Sequence, residues 1–326
     1  MTRPSSDDSP SHQVLQQAAH WYARLGAVEA DGNTRHAWQQ WYTADATHRQ
    51  AWAAVERISQ RLQPLHSDAD GSAQALLMAR GNLSRRKALG ALGVGSAALV
   101  LSAAAWRTPL QDTFAVWRAG QRTGVGEVRS LALADGSQLW LNSNTALDID
   151  YRSDLRLVHL LQGEILIQTA GDARPFVVST HEGRLRALGT RFSVQARAGQ
   201  TLLSVFEGAV QASPASTGPR VIAAGQQIIF DQRGWGAVSA ASAGRQSWSR
   251  GVLLADNQRL GDFVAELRRY RHGYLGVAPE VADIQVVGAY PLDHPDQALD
   301  MLASALPIRI QRTLPWWVSL EPRQHA

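Results

Sequence analysis

The sequence predicts a multidomain single-pass membrane protein: a small α-helical N-terminal domain, one transmembrane helix, an all-β exported domain and a C-terminal α+β module. Three observations carry this. Residues 88–106 are nineteen consecutive uncharged, mostly apolar residues, long enough to cross the roughly 30 Å hydrocarbon layer as a helix. Before them apolar residues recur at helical spacing. After them the period falls to two, between regularly spaced turn signals.

The apolar stretch lies in the first third of the chain, away from the N-terminus where a cleaved signal peptide belongs. Arg80, Arg85, Arg86 and Lys87 crowd its N-terminal flank, whereas Arg107, Arg118 and Arg122 are spread along the other. Positive charge stays in the cytoplasm, which predicts a cytoplasmic N-terminus. Ser84-Arg85-Arg86-Lys87-Ala88-Leu89 resembles a twin-arginine export signal, with Arg85 and Arg86 as the pair. The expected localisation is a bacterial inner membrane, with the C-terminal part periplasmic. Gly90, Gly93 and Gly95 read as small residues for close helix packing. The alternative for the stretch is a buried core helix of a soluble protein.

At 326 residues the chain has room for two or three domains. With no cysteine, disulfides and thiolate metal sites are excluded. The net charge is +4, and no basic stripe with interleaved aromatics occurs, which argues against direct nucleic-acid binding. His20, His36, His48 and His66 lack metal-ligand spacing. No metal or cofactor is expected.

Residues 1–10 are expected to be disordered. The helical domain, 11–65, opens with a helix capped by Ser11 that presents Val14, Ala18, Tyr22 and Leu25 on one face. A second helix, Thr34 to Tyr42, has Ala37, Trp38 and Trp41 as its inner side. A third, from Thr47, presents Ala51, Trp52, Val55, Ile58 and Leu62. Trp21, Trp38, Trp41 and Trp52 are either the core of this bundle or, where exposed, a partner-binding surface. Residues 66–87 read as a linker or a weak helix.

In the β region, 112–240, Leu131, Leu133, Leu139 and Leu141 alternate around Asp135-Gly136, a strong hairpin signal. Ten to twelve short strands follow as a sandwich, jelly roll or solenoid. The tail, 248–322, reads as two strand–helix units. Its first helix spans Gln258 to Arg271. The second spans Asp293 to Leu306, with Ala298, Met301, Leu302 and Ala305 inward. Strands at Ile308–Ile310 and Trp316–Val318 close it, the tryptophans half-buried or forming a partner contact. No Ser/His/Asp spacing, paired carboxylates or nucleophile elbow is apparent, so no enzyme is expected.

These residues resemble the FecR-type anti-sigma regulators of bacterial cell-surface signalling. Trp41-Tyr42-Thr43-Ala44-Asp45-Ala46-Thr47-His48-Arg49-Gln50-Ala51-Trp52 is similar to the family's sigma-binding head. Leu133-Ala134-Asp135-Gly136-Ser137, Leu161-Gln162-Gly163-Glu164, Arg174-Pro175-Phe176-Val177-Val178, Leu188-Gly189-Thr190-Arg191-Phe192, Glu207-Gly208-Ala209-Val210 and Ala224-Gly225-Gln226 follow in the family's order. The tail resembles the secretin and TonB short N-terminal module. The resemblance implies a head that binds an extracytoplasmic-function sigma factor, through a face with Trp38, Trp41 and Trp52. It implies a tail that contacts the signalling domain of a TonB-dependent receptor for a ferric siderophore or haem. Periplasmic and intramembrane proteases would relay the signal. The rival reading is a membrane-anchored scaffold of a secretin-type assembly. Some family members break themselves at a Gly-Thr bond, which marks Gly189 and Thr190 as a candidate self-cleavage site. His181 is the nearest histidine before it in sequence, and a candidate base.

Overall fold

The structure, a computed structural model, describes residues 10–26, 32–78, 116 and 119–323, with the backbone alone over 63–78. Helix α1 (His12–Leu25) starts where the Ser11 hydroxyl accepts the Val14 amide, an N-cap bond. It packs on α3 (Ala46–Met78) through Ala18, Ala19, Ala51 and Val55, all fully buried. Small side chains let the two axes approach closely. Between α2 (Gly32–Ala44) and α3, the Asp45 carboxylate accepts both the amide and the hydroxyl of Thr47, at 2.7 and 2.9 Å. Those bonds hold its carboxyl below the usual range. Ala37 is exposed, not on the inner side of α2 as its spacing suggested. Helix α3 runs to Met78, past the point where its apolar spacing fades.

Next come β1 (Gln121–Arg122), β2 (Arg129–Ala132), β3 (Gln138–Leu141), β4 (Ala146–Tyr151), β5 (Arg156–Gln168), β6 (Phe176–Ser179) and β7 (Gly183–Ala187). They are followed by β8 (Arg191–Arg197), β9 (Gln200–Glu207), β10 (Ala209–Pro214), β11 (Arg220–Ala223), β12 (Gln226–Phe230) and β13 (Trp235–Ala240). All belong to one sheet, ordered β11-β10-β7-β6-β5-β8-β9-β12-β13, with β1–β4 and β2–β3 attached through β5. The first half of β5 pairs with β4 and β6, and the second with β3 and β8. Both halves feed one cluster, including Val158, Val178 and Leu185 from one side and Ile165, Val194 and Leu203 from the other. The sheet therefore bends over itself and closes on its own core. Gly163 stands at the bend with φ +88°, and a Cβ there would collide with Thr145. Only glycine meets both demands cheaply.

The tail is β14 (Val252–Arg259), α4 (Leu260–Leu267), β15 (Tyr274–Val277), β16 (Gln285–Pro291), α5 (Pro295–Ala305), β17 (Ile308–Leu314) and β18 (Trp317–Pro322). β14 and β16 form an antiparallel ribbon, while β15, β18 and β17 form a second small sheet. On α5 the buried positions are Ala298, Leu299 and Leu302; Met301 and Ala305 face out, one step round the helix from the expected stripe. The tail's core cluster also takes in Leu166, Trp140 and Phe206 from the β domain. Tail and β domain thus share buried apolar surface.

The head lies on the tail. Trp317, fully buried, joins Ala18, Ala19, Ala51 and Val55 in one cluster and stacks on Tyr274 at 3.9 Å. The half-buried Trp316 meets Tyr22 edge-on at 5.9 Å. His12 Nε2 lies 2.9 Å from the Glu321 carboxylate.

The single-pass fold class needs correction. Residues 88–106, with Arg85 and Arg86, lie outside the described residues. Among the described residues no helix is long and apolar enough to cross a membrane. Helix α3 has the length, but Arg49, Glu56, Arg57 and Arg61 punctuate it. The observed architecture is a helical N-terminal region, a large β-sheet domain and an α+β tail. The expected inner-membrane, cytoplasm-to-periplasm placement is not supported.

Candidate functional site

Two groups of residues singled out by sequence take definite positions. The first is the junction between β7 and β8. The chain leaves β7 through the exposed Leu188, turns at Gly189 with φ +82°, and enters β8 at Arg191. A left-handed φ is cheap for glycine and strained for other residues. A Cβ on Gly208, the next turn over, would collide with the Gly189 carbonyl oxygen. Two glycines therefore bring two backbones into close contact at this bond. The Thr190 amide donates to Thr169 Oγ1 at 2.9 Å, and its carbonyl accepts the Thr169 amide at 3.0 Å. The Thr190 side chain is buried, and its Oγ1 has no hydrogen-bond partner among the described residues. A buried hydroxyl left unpaired is unusual and costly.

The junction is tied to the segment leading into the tail. Arg191 Nε donates to Gln246 Oε1 at 2.7 Å, its NH1 donates to Gln168 Oε1 at 2.9 Å, and its guanidinium lies over the Trp140 ring at 5.4 Å. His181 is not brought to Thr190. It precedes β7, at the strand's opposite end, where its Nδ1 is 2.7 Å from Gln232 Nε2.

The second group is the aromatic cluster of the head. Trp52 is buried, 5.0 Å from Trp38 and 5.7 Å from Tyr22. Trp38 and Trp41 are half-buried. Trp41 stacks on His48 at 4.5 Å, and its indole N–H donates to Gln17 Oε1 at 3.0 Å. Trp38 packs on Tyr42 at 5.2 Å. The three tryptophans thus lie along the seam of α1, α2 and α3, with Trp52 as core and the other two partly facing out.

Two polar hubs escaped the sequence reading. The Asp135 carboxylate, fully buried, accepts Arg156 NH1 and the Ser137 hydroxyl at 2.6 Å each, the Ser137 amide at 3.1 Å and the Tyr151 hydroxyl at 3.2 Å. Burial pushes its pKa up, but the bonds from Ser137 and Arg156 win and hold it below the usual carboxylate range. Glu164, also buried, accepts Arg269 NH1 at 2.6 Å across the seam between β domain and tail, and Asn142 Nδ2 at 3.0 Å. Burial alone would lower the Arg269 pKa, yet the charges of Glu164 and Glu266 raise it. Asp135 belongs to the hairpin signal, and both carboxylates fall within the family-like motifs, which say nothing of their partners. Their cations lie 21 and 105 residues further on (135 to 156, 164 to 269), and no local pattern links them.

Residues 121–211 match the family described as FecR protein, and residues 16–58 match DUF4880, a domain of unknown function. The chain has the FecR-type anti-sigma regulator architecture. The FecR domain match covers β1 through the first half of β10, including the Gly189-Thr190 junction. Among solved structures, two of a candidate anti-sigma factor from Parabacteroides distasonis are similar in fold. Each is 22% identical and covers 62% of this chain, with TM-scores of 0.51 and 0.52 over 97% and 98% of their own length. No curated protein matches the chain.

Proposed function

We propose that this protein is an anti-sigma regulator whose head binds an extracytoplasmic-function sigma factor. The observation that carries the reading is the pairing of a compact helical head, matching DUF4880, with a FecR domain in one chain. The solved structures similar in fold are of a candidate anti-sigma factor, which agrees with it. On the head, Trp38 and Trp41 offer aromatic surface beside a buried Trp52, the arrangement of a contact patch resting on a core. Co-expression with an extracytoplasmic-function sigma factor from the same genome and capture of the full chain tests the reading. The sigma factor should copurify, and Trp41→Ala should weaken capture while leaving helix content intact. Capture unaffected by Trp38→Ala and Trp41→Ala would place the interface elsewhere.

The input is the signalling domain of a TonB-dependent receptor, acting on the tail, and the output is released by proteolysis. The ribbon β14–β16 supports a tail contact, since Val287 and Leu254 stand exposed on it at 69% and 43%. Exposed apolar side chains grouped on one surface mark partner sites.

Self-cleavage at Gly189-Thr190 belongs to the same proposal. The Thr190 Oγ attacks the Gly189 carbonyl carbon, and the C–N bond breaks as the amine leaves. The resulting ester is opened by water to a Gly189 carboxylate and a chain beginning at Thr190. The unpaired Thr190 hydroxyl and the left-handed Gly189 support it. Intact mass of the purified full chain should show two fragments dividing at this bond, and one species for Thr190→Ala. A wild-type chain that stays whole on long incubation removes this step and leaves sigma binding untouched.

A further inference from the structure

The outer face of the β domain carries a groove that none of these roles uses. It has a volume of about 550 Å³, within the range of small-molecule sites. Its floor follows from strand register, since residues directly opposite each other share a face. One row runs Leu157, Val177, Arg186 and Gln211 across β5, β6, β7 and β10. The neighbouring row runs His159, Ser179, Arg184 and Ser213. Leu157 and Val177 thus form an apolar strip beside the polar His159 and Ser179, and each pair leads onto an arginine of β7.

The charges in this groove are unbalanced. Arg184 and Arg186 are exposed, and neither guanidinium has a hydrogen-bond or ion-pair partner among the described residues. Arg152 at the rim is neutralised by Asp150. Among the described residues no carboxylate lines the groove itself; Asp148 and Asp150 stand at its β4 end, opposite His159 and Leu157 and away from the β7 arginines. Ser179 Oγ and His159 Nδ1 are hydrogen-bonded to each other at 2.7 Å, so a donor and an acceptor are already oriented beside the arginines.

We propose that this groove binds a small organic anion, with its apolar body over Leu157 and Val177 and its oxyanion between Arg184 and Arg186. Guanidinium pairs are well suited to a carboxylate, which accepts two parallel N–H bonds. Alternation of the sheet puts Arg184 and Arg186 on one face two residues apart, within reach of a single anionic group. The site is independent of sigma binding and of cleavage at Gly189.

The test compares 4-phenylbutyrate with its neutral amide, 4-phenylbutanamide, by titration calorimetry on the full chain. The two probes share an apolar body and differ in charge. The acid should bind about tenfold or more tightly than the amide, the factor expected of charge-assisted hydrogen bonds. The double variant Arg184→Gln/Arg186→Gln should abolish that preference, as should Gln211→Glu, which sets a carboxylate opposite Arg186. Arg49→Gln, an exposed change on the head, should keep it. These side chains are at the surface or rim, so thermal unfolding of the variants should match wild type. Failure of the acid to bind, or an unchanged preference in the double variant, overturns the proposal.

Discussion

Replacing Arg156 by methionine should destabilise the β domain more than any substitution of an exposed arginine. The Arg156 side chain is 5% exposed and its partner Asp135 is fully buried. Its guanidinium donates to the Asp135 carboxylate and to the carbonyls of Ala170 and Arg174, and lies over Phe176. Methionine fills part of the volume but leaves a buried carboxylate without a cation and two carbonyls without donors. Removing one partner of a buried pair costs about 3–5 kcal/mol, against a total stability on the order of 5–15 kcal/mol. At about 2–4 °C per kcal/mol for a unit of this size, the midpoint should fall by roughly 6–20 °C. The assay is urea and thermal unfolding at neutral pH, followed by the strand signal of circular dichroism together with intrinsic tryptophan fluorescence. Asp135→Asn/Arg156→Met should recover part of the loss, because no buried charge is left behind. A loss under about 1 kcal/mol in the single variant, the value of a surface pair, would refute the claim that this hub holds the domain together.

The same carboxyl gives a pH dependence. Its folded pKa is depressed, so its contribution is present above the unfolded value of about 3.9 and is lost as pH falls through the folded one; Asp135→Asn should flatten the acid limb of a stability–pH curve. Gly163→Ala places a Cβ against Thr145 at a left-handed φ, and urea unfolding should show a loss of at least about 1–3 kcal/mol. Trp52→Ala should lower head stability by about 3–5 kcal/mol, read by loss of helical circular dichroism on heating, whereas Trp41→Ala should change the melt far less. Gln16→Cys/Thr313→Cys, at positions whose native side chains meet across the head–tail contact, should be bridged within one molecule by a short bismaleimide in this cysteine-free chain; no intramolecular cross-link would show that head and tail are apart.

Much of the fold was legible because local rules were enough for it. Asp135-Gly136 is the turn of the β2–β3 hairpin, with Gly136 at φ +85°. The helix expected over Gln258 to Arg271 forms over Leu260–Leu267, with Leu260, Phe263, Val264 and Leu267 buried. What failed involved distance or context. Tyr274–Val277 is a strand because it lies parallel to β18, across 40 residues of chain (277 to 317). Trp317 is buried because the head covers it, a fact no window around it contains. The apolar run at 88–106 met the length rule for a membrane span, and length is all that a composition window measures. Of the candidate site, the Gly189-Thr190 pair was legible as part of a family-like motif. The unpaired Thr190 hydroxyl and the link from Arg191 to Gln246 were not, since both depend on strands brought together from far along the chain.

One physical connection gives the tail a route to the β7–β8 junction. Strand β5 supplies Glu164 to the ion pair with Arg269 and Leu166 to the tail's core, while Arg191, next to the Gly189-Thr190 bond, holds Gln246 at the tail's entrance. Pulling the tail away would expose Leu166 and Trp140 and strand a buried Glu164 without its cation. That separation is expensive, by the same reasoning that makes Arg156 hard to replace. A partner acting on the tail therefore does its work most cheaply without detaching it, by shifting the segment that carries Gln246 and so moving Arg191. Coupling between two sites needs a chain of packed and hydrogen-bonded groups with alternative arrangements. The Gln246–Arg191 hydrogen bond is one such contact, running from the segment that enters the tail to the strand end beside this bond.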